Sequence, residues 1–441
     1  MMGERLVMQE SLFYEFRLED HIPSDHLLRR IDRFVDCSGL RQHLAGFYST
    51  TGRPSVDPEL MIRMLIIGYC LGIRSERRLC EEVHLNLAYR WFCRLGLEGK
   101  VPDHSTFSKN RHGRFRESDL FRHLFEAVVQ RCLDERLVGG EGFAVDASLI
   151  HADANKQRSL TGADWRTQDH TQDAPRAVCE YLATLDEAAW GAATDVEPKF
   201  VSPSDPAAQW TGAMRGPAFF AYADNYLIDL KAAVIVDVEA SRAVRQAEVG
   251  AARTMLERTA ERFGLKPERL AADSAYGSAE MLHWLVAEQK IEPHVPVIDK
   301  STRGDTYTCP EGKTLTTSGR IVNEGTTRIY LGSTFDCGPC PLKEQCCPNT
   351  PARKIPRSMY EHAREVARSL RGTPAFEQSR QGRKRIEMLF AHLKCILKMG
   401  RLRLRGPCGA QDEFLLAATA QNLRKLAKLI TPSEPQMTQA G

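Results

Sequence analysis

The chain has 441 residues, of which 42% are hydrophobic and 27% charged, and its formal net charge is +3. This length accommodates two or three domains with sizeable cores, and the composition is typical of a soluble globular protein. The longest apolar run, residues 64–73, is too short to span a bilayer, and we expect no signal peptide. Thirteen cysteines in such a chain indicate a reducing, cytoplasmic compartment, where clustered cysteines favour metal binding over disulfides.

Charge is distributed unevenly along the chain. Residues 141–300 carry 16 Lys and Arg against 25 Asp and Glu, whereas residues 351–405 carry 15 against 4. A basic block of this size favours a polyanionic partner whose phosphates it neutralises, and the alternative is a solvated basic face.

Residues 1–140 are predicted to form a helical N-terminal domain. Residues 57–72 have Asp57 as an N-cap, Pro58 at the first helical position and Gly72 at the end. The short helices of this region carry several cations: Arg74, Arg77, Arg78, Lys109, Arg111 and Arg114. The pattern fits a helix-turn-helix-like DNA reader, and it fits a helical bundle or dimerisation module equally well.

Residues 141–298 are predicted to form the first part of a second domain, in which strands alternate with helices. The expected strands lie at 142–155, 217–241 (a hairpin), 269–278 and 291–298, and the expected helices at 174–190, 243–263 and 279–290. This order predicts an α/β fold with a mixed sheet flanked by helices.

The remaining segments interrupt and then complete this domain. Residues 299–356 contain a cluster of cysteines, and residues 357–430 are predicted to carry helices at 359–370, 375–399 and 411–430. The basic stretch 400–406 reads as a linker between the last two helices, and residues 431–441 as a disordered tail.

The helix over residues 380–398 has a single acid, Glu387, among many cations. At 100° per residue its apolar side chains form one stripe, and beside the stripe Arg383, Lys384, Lys394 and Lys398 surround Glu387. Taken alone, this pattern favours ordinary ion pairs along a basic helix face.

Two further acids change that interpretation. Asp146 and Asp273 both stand where a predicted strand gives way to polar residues, and active sites of open α/β sheets lie at strand ends. Two aspartates and Glu387, distant in sequence, can converge to hold two Mg²⁺ or Mn²⁺ ions, because hard cations prefer oxygen ligands. Such a pair of ions activates the attacking hydroxyl and stabilises the leaving oxygen in phosphodiester cleavage.

At this point the sequence resembles the DDE transposases of bacterial insertion sequences. The resemblance is carried by Arg383, three residues, Glu387, six residues and Lys394, although Arg380 stands where the subgroup usually has Tyr. It extends to the segments around Asp146 and Asp273 and to the N-terminal helical region, which includes "PDHSTFSKNR".

The resemblance implies an RNase H-like catalytic core in which Asp146, Asp273 and Glu387 are the metal-binding and catalytic triad. It also implies cleavage at terminal inverted repeats, transfer of the 3′-OH ends to target DNA, and a homo-oligomer, expected to be a dimer, that is nucleoid-associated. The residues that we expect to contact DNA are Arg383, Lys394, Lys384, Lys398, Arg111 and Lys109. Two other functions stay open, namely a DNA-binding protein without catalysis and a nuclease without strand transfer.

Four cysteines of the segment 299–356 form a candidate zinc site. Cys337 and Cys340 form a CxxC knuckle, and Cys309 with Cys346 (or Cys347) would complete four thiolates around a structural Zn²⁺ ion. Thiolate is too soft for Mg²⁺, so such a site would be separate from the carboxylates. The alternative is a set of free thiols.

Overall fold

The computed structural model describes residues 16–48, 51, 55–167, 174–184, 198–212, 216–297, 307–323 and 325–430, so the expected disordered tail at 431–441 lies outside the described residues. The chain forms two compact units. The first consists of Met1–Arg131, Leu393–Met399 and Leu415–Gly441, and the second of Cys132–His392 and Gly400–Phe414.

Helices are present in both units. In chain order they are α1 (Leu18–His21), α2 (Leu27–Asp32), α3 (Leu40–Leu44), α4 (Pro58–Cys70), α5 (Glu76–Leu85), α6 (Leu87–Phe92), α7 (His104–Asn110), α8 (Leu120–Asp134), α9 (Gly162–Arg166), α10 (Arg176–Ala183), α11 (Arg245–Phe263), α12 (Ala279–His283), α13 (Thr334–Cys337), α14 (Lys343–Cys346), α15 (Glu361–Leu370), α16 (Pro374–Cys395) and α17 (Pro407–Leu429). Among the described residues, no helix is both long and apolar enough to cross a membrane.

Strands form one large sheet and two small ones. They are β1 (Gly142–His151), β2 (Gln209–Gly212), β3 (Ala218–Asp229), β4 (Ile235–Arg242), β5 (Arg269–Ala271), β6 (Glu292–His294), β7 (Tyr307–Thr308), β8 (Thr314–Leu315), β9 (Ile321–Val322), β10 (Thr327–Leu331) and β11 (Lys354–Ser358). The large sheet has the order β2-β3-β1-β5-β6, with β4 also paired to β3.

The first unit is helical and has α4 in its core. As predicted, α4 begins after Asp57, whose carboxylate accepts the Glu59 N–H, and Pro58 occupies its first turn. Even Arg63 of α4 is buried, with its guanidinium 2.8 Å from Glu59 and 2.7 Å from Asp32. A buried charge needs such pairing because isolated ions are costly to desolvate.

The second unit is built on the mixed sheet, and the prediction of a mixed α/β fold is confirmed. Strands β1, β3 and β4 are antiparallel neighbours, whereas β5 and β6 run parallel to β1. In the centre, Phe143–Val145 of β1 and Tyr222 and Tyr226 of β3 are buried, as expected of strands covered on both faces.

Several element boundaries differ from the predictions. Helix α16 ends at Cys395, so Lys398 lies beyond the helix, with a φ of 56°, instead of on the same face as Glu387. Helix α17 begins at Pro407 because proline suits a first helical turn. Strand β2 was not predicted, since four residues within a polar segment carry too little periodicity to be recognised.

The cysteine-rich segment contains the hairpin β7-β8 and the antiparallel sheet β11-β10-β9. Tyr307, Leu315 and Tyr330 form its small core, on which Cys309 and Ile355 pack. The thiols of Cys309, Cys337, Cys340, Cys346 and Cys347 line one cavity and are free of disulfides.

Candidate active site

Asp146 lies in the middle of β1, directly after three buried residues. It pairs with Tyr226 of β3, and its side chain is 20% exposed. One carboxylate oxygen accepts the Ala147 N–H at 2.9 Å, and the other lies 3.3 Å from the guanidinium of Arg383. The strand thus holds a mostly buried carboxylate at a fixed position.

Asp273 lies beside Asp146 at the carboxyl edge of the sheet. Ala271 of β5 pairs with Ala144 of β1, and the two strands are parallel. Each aspartate stands two residues beyond this pair, and neighbouring strands are about 4.8 Å apart, so the two carboxylates come from adjacent positions. The Asp273 carboxylate also accepts the Ala275 N–H at 2.7 Å, which caps the short turn Ser274–Tyr276.

Glu387 is carried by α16, which packs on the sheet next to Asp146. Ile386 of α16 is fully buried, and Phe390 stacks on Tyr226 with ring centroids 4.8 Å apart. Because Tyr226 of β3 is the strand partner of Asp146, this stack fixes the helix against β3, directly beside the aspartate. The Glu387 side chain itself is 60% exposed.

Arg383 connects the helix to the strand. Its guanidinium lies 3.3 Å from Asp146 and 3.8 Å from Glu387, one helical turn further along α16. Burial raises the pKa of Asp146, and the carboxylates of Asp273 and Glu387 raise it further, while the Ala147 N–H and the Arg383 guanidinium lower it. Arg383 therefore balances part of the negative charge gathered at this edge.

Two more residues belong to this site, and sequence reasoning missed both. Glu248, in the first turn of α11, has a raised pKa because of burial and the nearby carboxylates of Asp273 and Asp146. Tyr276 is 1% exposed, and its hydroxyl has no hydrogen-bond partner among the described residues. The pKa of Tyr276 is raised by burial and by the carboxylates of Glu248, Asp146 and Asp273. Its position just after Asp273 was the only available signal.

The donor set at this edge suits a hard divalent cation, because carboxylate oxygens are the ligands that Mg²⁺ prefers. As the side chains stand, however, the described part of the chain contains no group of three or more His, Cys, Asp or Glu residues that could hold a metal ion. Arg383 contacts both Asp146 and Glu387, so a cation of the chain itself lies between those carboxylates. The same finding covers the cysteine cluster, and its zinc site stays a prediction.

The residues expected to contact DNA differ in their accessibility. Those with exposed side chains are Lys109, Lys384, Lys394 and Lys398, and Arg383 is 27% exposed. The expectation for Arg111 is corrected, because its guanidinium is buried against Glu76 at 3.0 Å and the Tyr69 hydroxyl at 2.6 Å. A guanidinium held in this way is paired inside the helical unit and is not presented to a partner.

Comparisons with known proteins point to one class. Residues 16–113 match a family model described as a transposase domain (DUF772), and residues 308–427 match one described as a transposase DDE domain. The second match includes Glu387, while Asp146 and Asp273 lie outside both matches. A comparison with curated proteins gives no match. A solved cryo-EM structure, a piggyBac transposase synaptic complex with hairpin DNA, aligns with 92% of this chain and 77% of that chain at 8% identity and a TM-score of 0.32.

Proposed function

The chain belongs to the DDE transposases of insertion sequences, and we propose that it cleaves the terminal inverted repeats of its element and joins the freed 3′-OH ends to target DNA. One observation carries the proposal. Asp146 in β1 and Asp273 just after β5 each stand two residues beyond the paired Ala144 and Ala271 of these parallel strands, and the helix that bears Glu387 is docked beside them. Acids placed at the carboxyl edge of such a sheet are positioned for chemistry on a bound substrate.

We infer that the second unit is an RNase H-like core. Three antiparallel strands, β4, β3 and β1, are followed by the parallel strands β5 and β6, and this order supports the assignment. In such a core the pairing of the first strand with its parallel neighbour brings their acids together, whatever the length of the chain between them. The spacing of Asp146 and Asp273 in the chain is then free to vary.

The residues that would hold the divalent ions of this reaction are Asp146, Asp273 and Glu387. Bound there, the ions would supply an activated hydroxyl and stabilise the leaving oxygen of the phosphodiester. The Arg383 guanidinium lies 3.8 Å from one Glu387 oxygen, and its release would leave the whole carboxylate to the ions.

Arg383 is placed to exchange partners when DNA binds. Its guanidinium can leave Asp146 and Glu387 and take up a phosphate oxygen, because arginine forks match phosphate as well as carboxylate. The exchange would free the two acids at the moment when the substrate arrives. The carboxylates of Asp146 and Asp273 raise the pKa of both Glu248 and Tyr276, so these two groups would respond to an ion or a substrate bound at the aspartates.

The N-terminal unit is proposed to recognise the DNA end, to dimerise, or to do both. Its match to a transposase domain supports a role in transposition, and Lys109 remains an exposed cation of that unit. Joining two DNA ends requires that both be held together, so we propose a homodimer with one end bound to each copy.

The test is Mg²⁺-dependent cleavage of a duplex that carries the inverted repeat flanking the gene. We expect Asp146→Asn, Asp273→Asn and Glu387→Gln each to lose at least about 100-fold in rate, since even the outer partners of metal ligands are worth about 10–100-fold. Glu257→Gln, an exposed acid of α11, is the matched control and should cleave normally. A triad variant with the wild-type rate would remove that residue from the site.

The same assay separates the rival functions. If wild-type protein binds the repeat but never cuts it, the chain is a DNA-binding protein without catalysis. If cutting occurs but no end is joined to a target duplex, it is a nuclease. Glu248→Gln, measured in parallel, shows whether the fourth carboxylate contributes to the rate.

A further inference from the structure

In residues 400–406, here called the arginine segment, exposed and buried residues alternate from Arg401 to Gly406. Leu402 and Leu404 are 1% and 4% exposed, whereas Arg401, Arg403 and Arg405 are all exposed. Of this segment, only Arg401 forms a bridge to β1, and Arg403 and Leu404 form a bend, so the alternation belongs to an irregular backbone. The segment buries its two leucines and exposes its three arginines.

The backbone of the arginine segment is held at both ends and in the middle. The His151 N–H donates to the Gly400 carbonyl at 3.2 Å, and the Leu402 N–H donates to the His151 carbonyl at 2.8 Å, so the segment continues the pairing of β1. One carboxylate oxygen of the buried Glu413 accepts the N–H groups of Arg403 and Leu404, both at 2.6 Å. These contacts fix the backbone and leave the arginine side chains outside the fold.

The far end is closed by a glycine that no other residue can replace without strain. The Gly406 N–H donates to the Asp205 carboxylate at 3.2 Å, and Gly406 has a φ of 81°. A Cβ atom there would lie 2.5 Å from the Glu180 carboxylate and 3.0 Å from the Ala177 backbone. The segment thus has one defined conformation.

Two arginines of the segment, Arg401 and Arg405, line an open cleft of about 400 Å³. Asp153 holds both of them, with Arg401 at 2.9 Å and Arg405 at 2.9 Å, and Arg158 also lines the cleft together with Asn155. One carboxylate shared by two guanidinium groups orients both toward the cleft and leaves an excess of positive charge. Oriented guanidinium forks are suited to phosphate, which they bind through paired hydrogen bonds.

The distance between the arginine segment and Asp146 can be estimated along β1. It pairs with His151, which is five residues beyond Asp146 on β1, and strands rise about 3.4 Å per residue. The separation along the strand is therefore about 17 Å, which equals about five base pairs of duplex at roughly 3.4 Å each.

We propose that Arg401, Arg403 and Arg405 bind backbone phosphates of the element's DNA about five base pairs from the bond that is cut. That the bound duplex is the element's DNA rests on the proposed function. That these arginines contact phosphates rests on the arrangement of the arginine segment. The segment that the sequence indicated as a linker is thereby a phosphate-binding segment that sets the register of the DNA relative to Asp146.

The experiment measures binding to a duplex of about forty base pairs that ends in the inverted repeat, in EDTA, between about 50 and 200 mM salt. Each lost phosphate contact should reduce the slope of log K against log salt by about 0.9 and weaken binding roughly tenfold at 0.1 M salt. We expect slope losses of about 1.8 for the double variant Arg401→Gln/Arg405→Gln and about 0.9 for Arg403→Gln. Arg262→Gln, an exposed arginine of α11, should leave slope and affinity unchanged.

Two further measurements make the outcome specific. The double variant removes both ion-pair partners of Asp153. Arg403→Gln leaves these ion pairs intact, so it shows the effect of losing an arginine without that change. Phosphate ethylation interference should locate the affected phosphates about five base pairs from the cut, and the signal should vanish in the variants. An unchanged salt slope in both Arg403→Gln and the double variant would overturn the proposal. The proposal would also be overturned if the variants lost affinity only for polyglutamate, because that would indicate an acidic protein segment as the partner.

The result is independent of the catalytic test, since no divalent ion is present. If Asp146→Asn still cleaves while the arginine variants lose their slope, the proposed catalytic site fails and the phosphate-binding segment stands. If the slopes are unchanged while Asp146→Asn is inactive, the segment fails and the catalytic site stands.

Discussion

The buried carboxyl of Asp205 should make the second unit less stable as the pH rises. Asp205 is 0% exposed, accepts a hydrogen bond from the Tyr222 hydroxyl and holds the Gly406 N–H at the end of the arginine segment. Burial raises the pKa of Asp205 to about 7, although the bonds from Tyr222 and Gly406 partly oppose the shift. The substitution that tests this is Asp205→Asn, because an amide oxygen can accept both hydrogen bonds and cannot ionise.

The sign follows from proton binding. Between the ordinary value of 3.8 and about 7, the folded state keeps the proton on Asp205 and the unfolded chain does not. The folded state then binds more protons, so its free energy of unfolding falls as the pH rises through this window and levels off above it. At about 1.4 kcal/mol per pH unit the full effect is on the order of 4 kcal/mol, of which about 3 kcal/mol lies between pH 5 and 8.

The assay compares urea unfolding of wild type and Asp205→Asn from pH 5 to 8, so that the other titrating groups cancel. The two proteins should be of similar stability at pH 5, and the variant should be the more stable by roughly 3 kcal/mol at pH 8. A difference that stays constant across this range would refute the reasoning, because it would mean that the carboxyl titrates alike in both states.

Two other predictions concern the candidate active site. Arg383→Gln removes the cation that lowers the pKa of Asp146, so the acidic limb of the pH–rate profile for DNA cleavage should move to higher pH, and an unmoved limb would show that the two groups are not coupled. Phe390→Ala removes the stack on Tyr226 and should cost about 3–5 kcal/mol in urea unfolding, whereas Met388→Ala, at a site that is 71% exposed, should change stability by less than about 0.5 kcal/mol.

Much of the fold was predictable because its signals are local. The start of α4 at Asp57 and Pro58, the hairpin of β3 and β4, and the run of buried residues before Asp146 all follow from caps and periodicity within a few residues. Asp273 was correctly placed where a strand gives way to a turn, whereas Asp146 lies in the middle of β1, which continues to His151. Their roles in chemistry stay predictions until the variants are measured.

What the sequence could not supply was register. Strand β5 has three residues and lies more than a hundred positions from β1, so no local pattern indicates that Ala271 pairs with Ala144. The end of α16 was misplaced because its apolar repeat continues through Leu397, whereas the backbone turns at Lys398, with the Met399 N–H donating to the Leu393 carbonyl. Glu248 was missed since the face that a predicted helix turns toward a site depends on packing between elements.

The lone acid on the basic face of α16 can now be explained by its neighbours. An ordinary i,i+4 pair between Arg383 and Glu387 would be worth only a few tenths of a kcal/mol and would not require Asp146. In the structure the guanidinium lies closer to Asp146, at 3.3 Å, than to Glu387, at 3.8 Å, and the aspartate side chain is the more buried of the two. Electrostatic attraction strengthens as water is excluded, so the contact with Asp146 is the stronger one. Releasing Glu387 from Arg383 therefore costs less free energy than releasing Asp146. This suits a ligand that joins the two aspartates only after DNA has drawn Arg383 away.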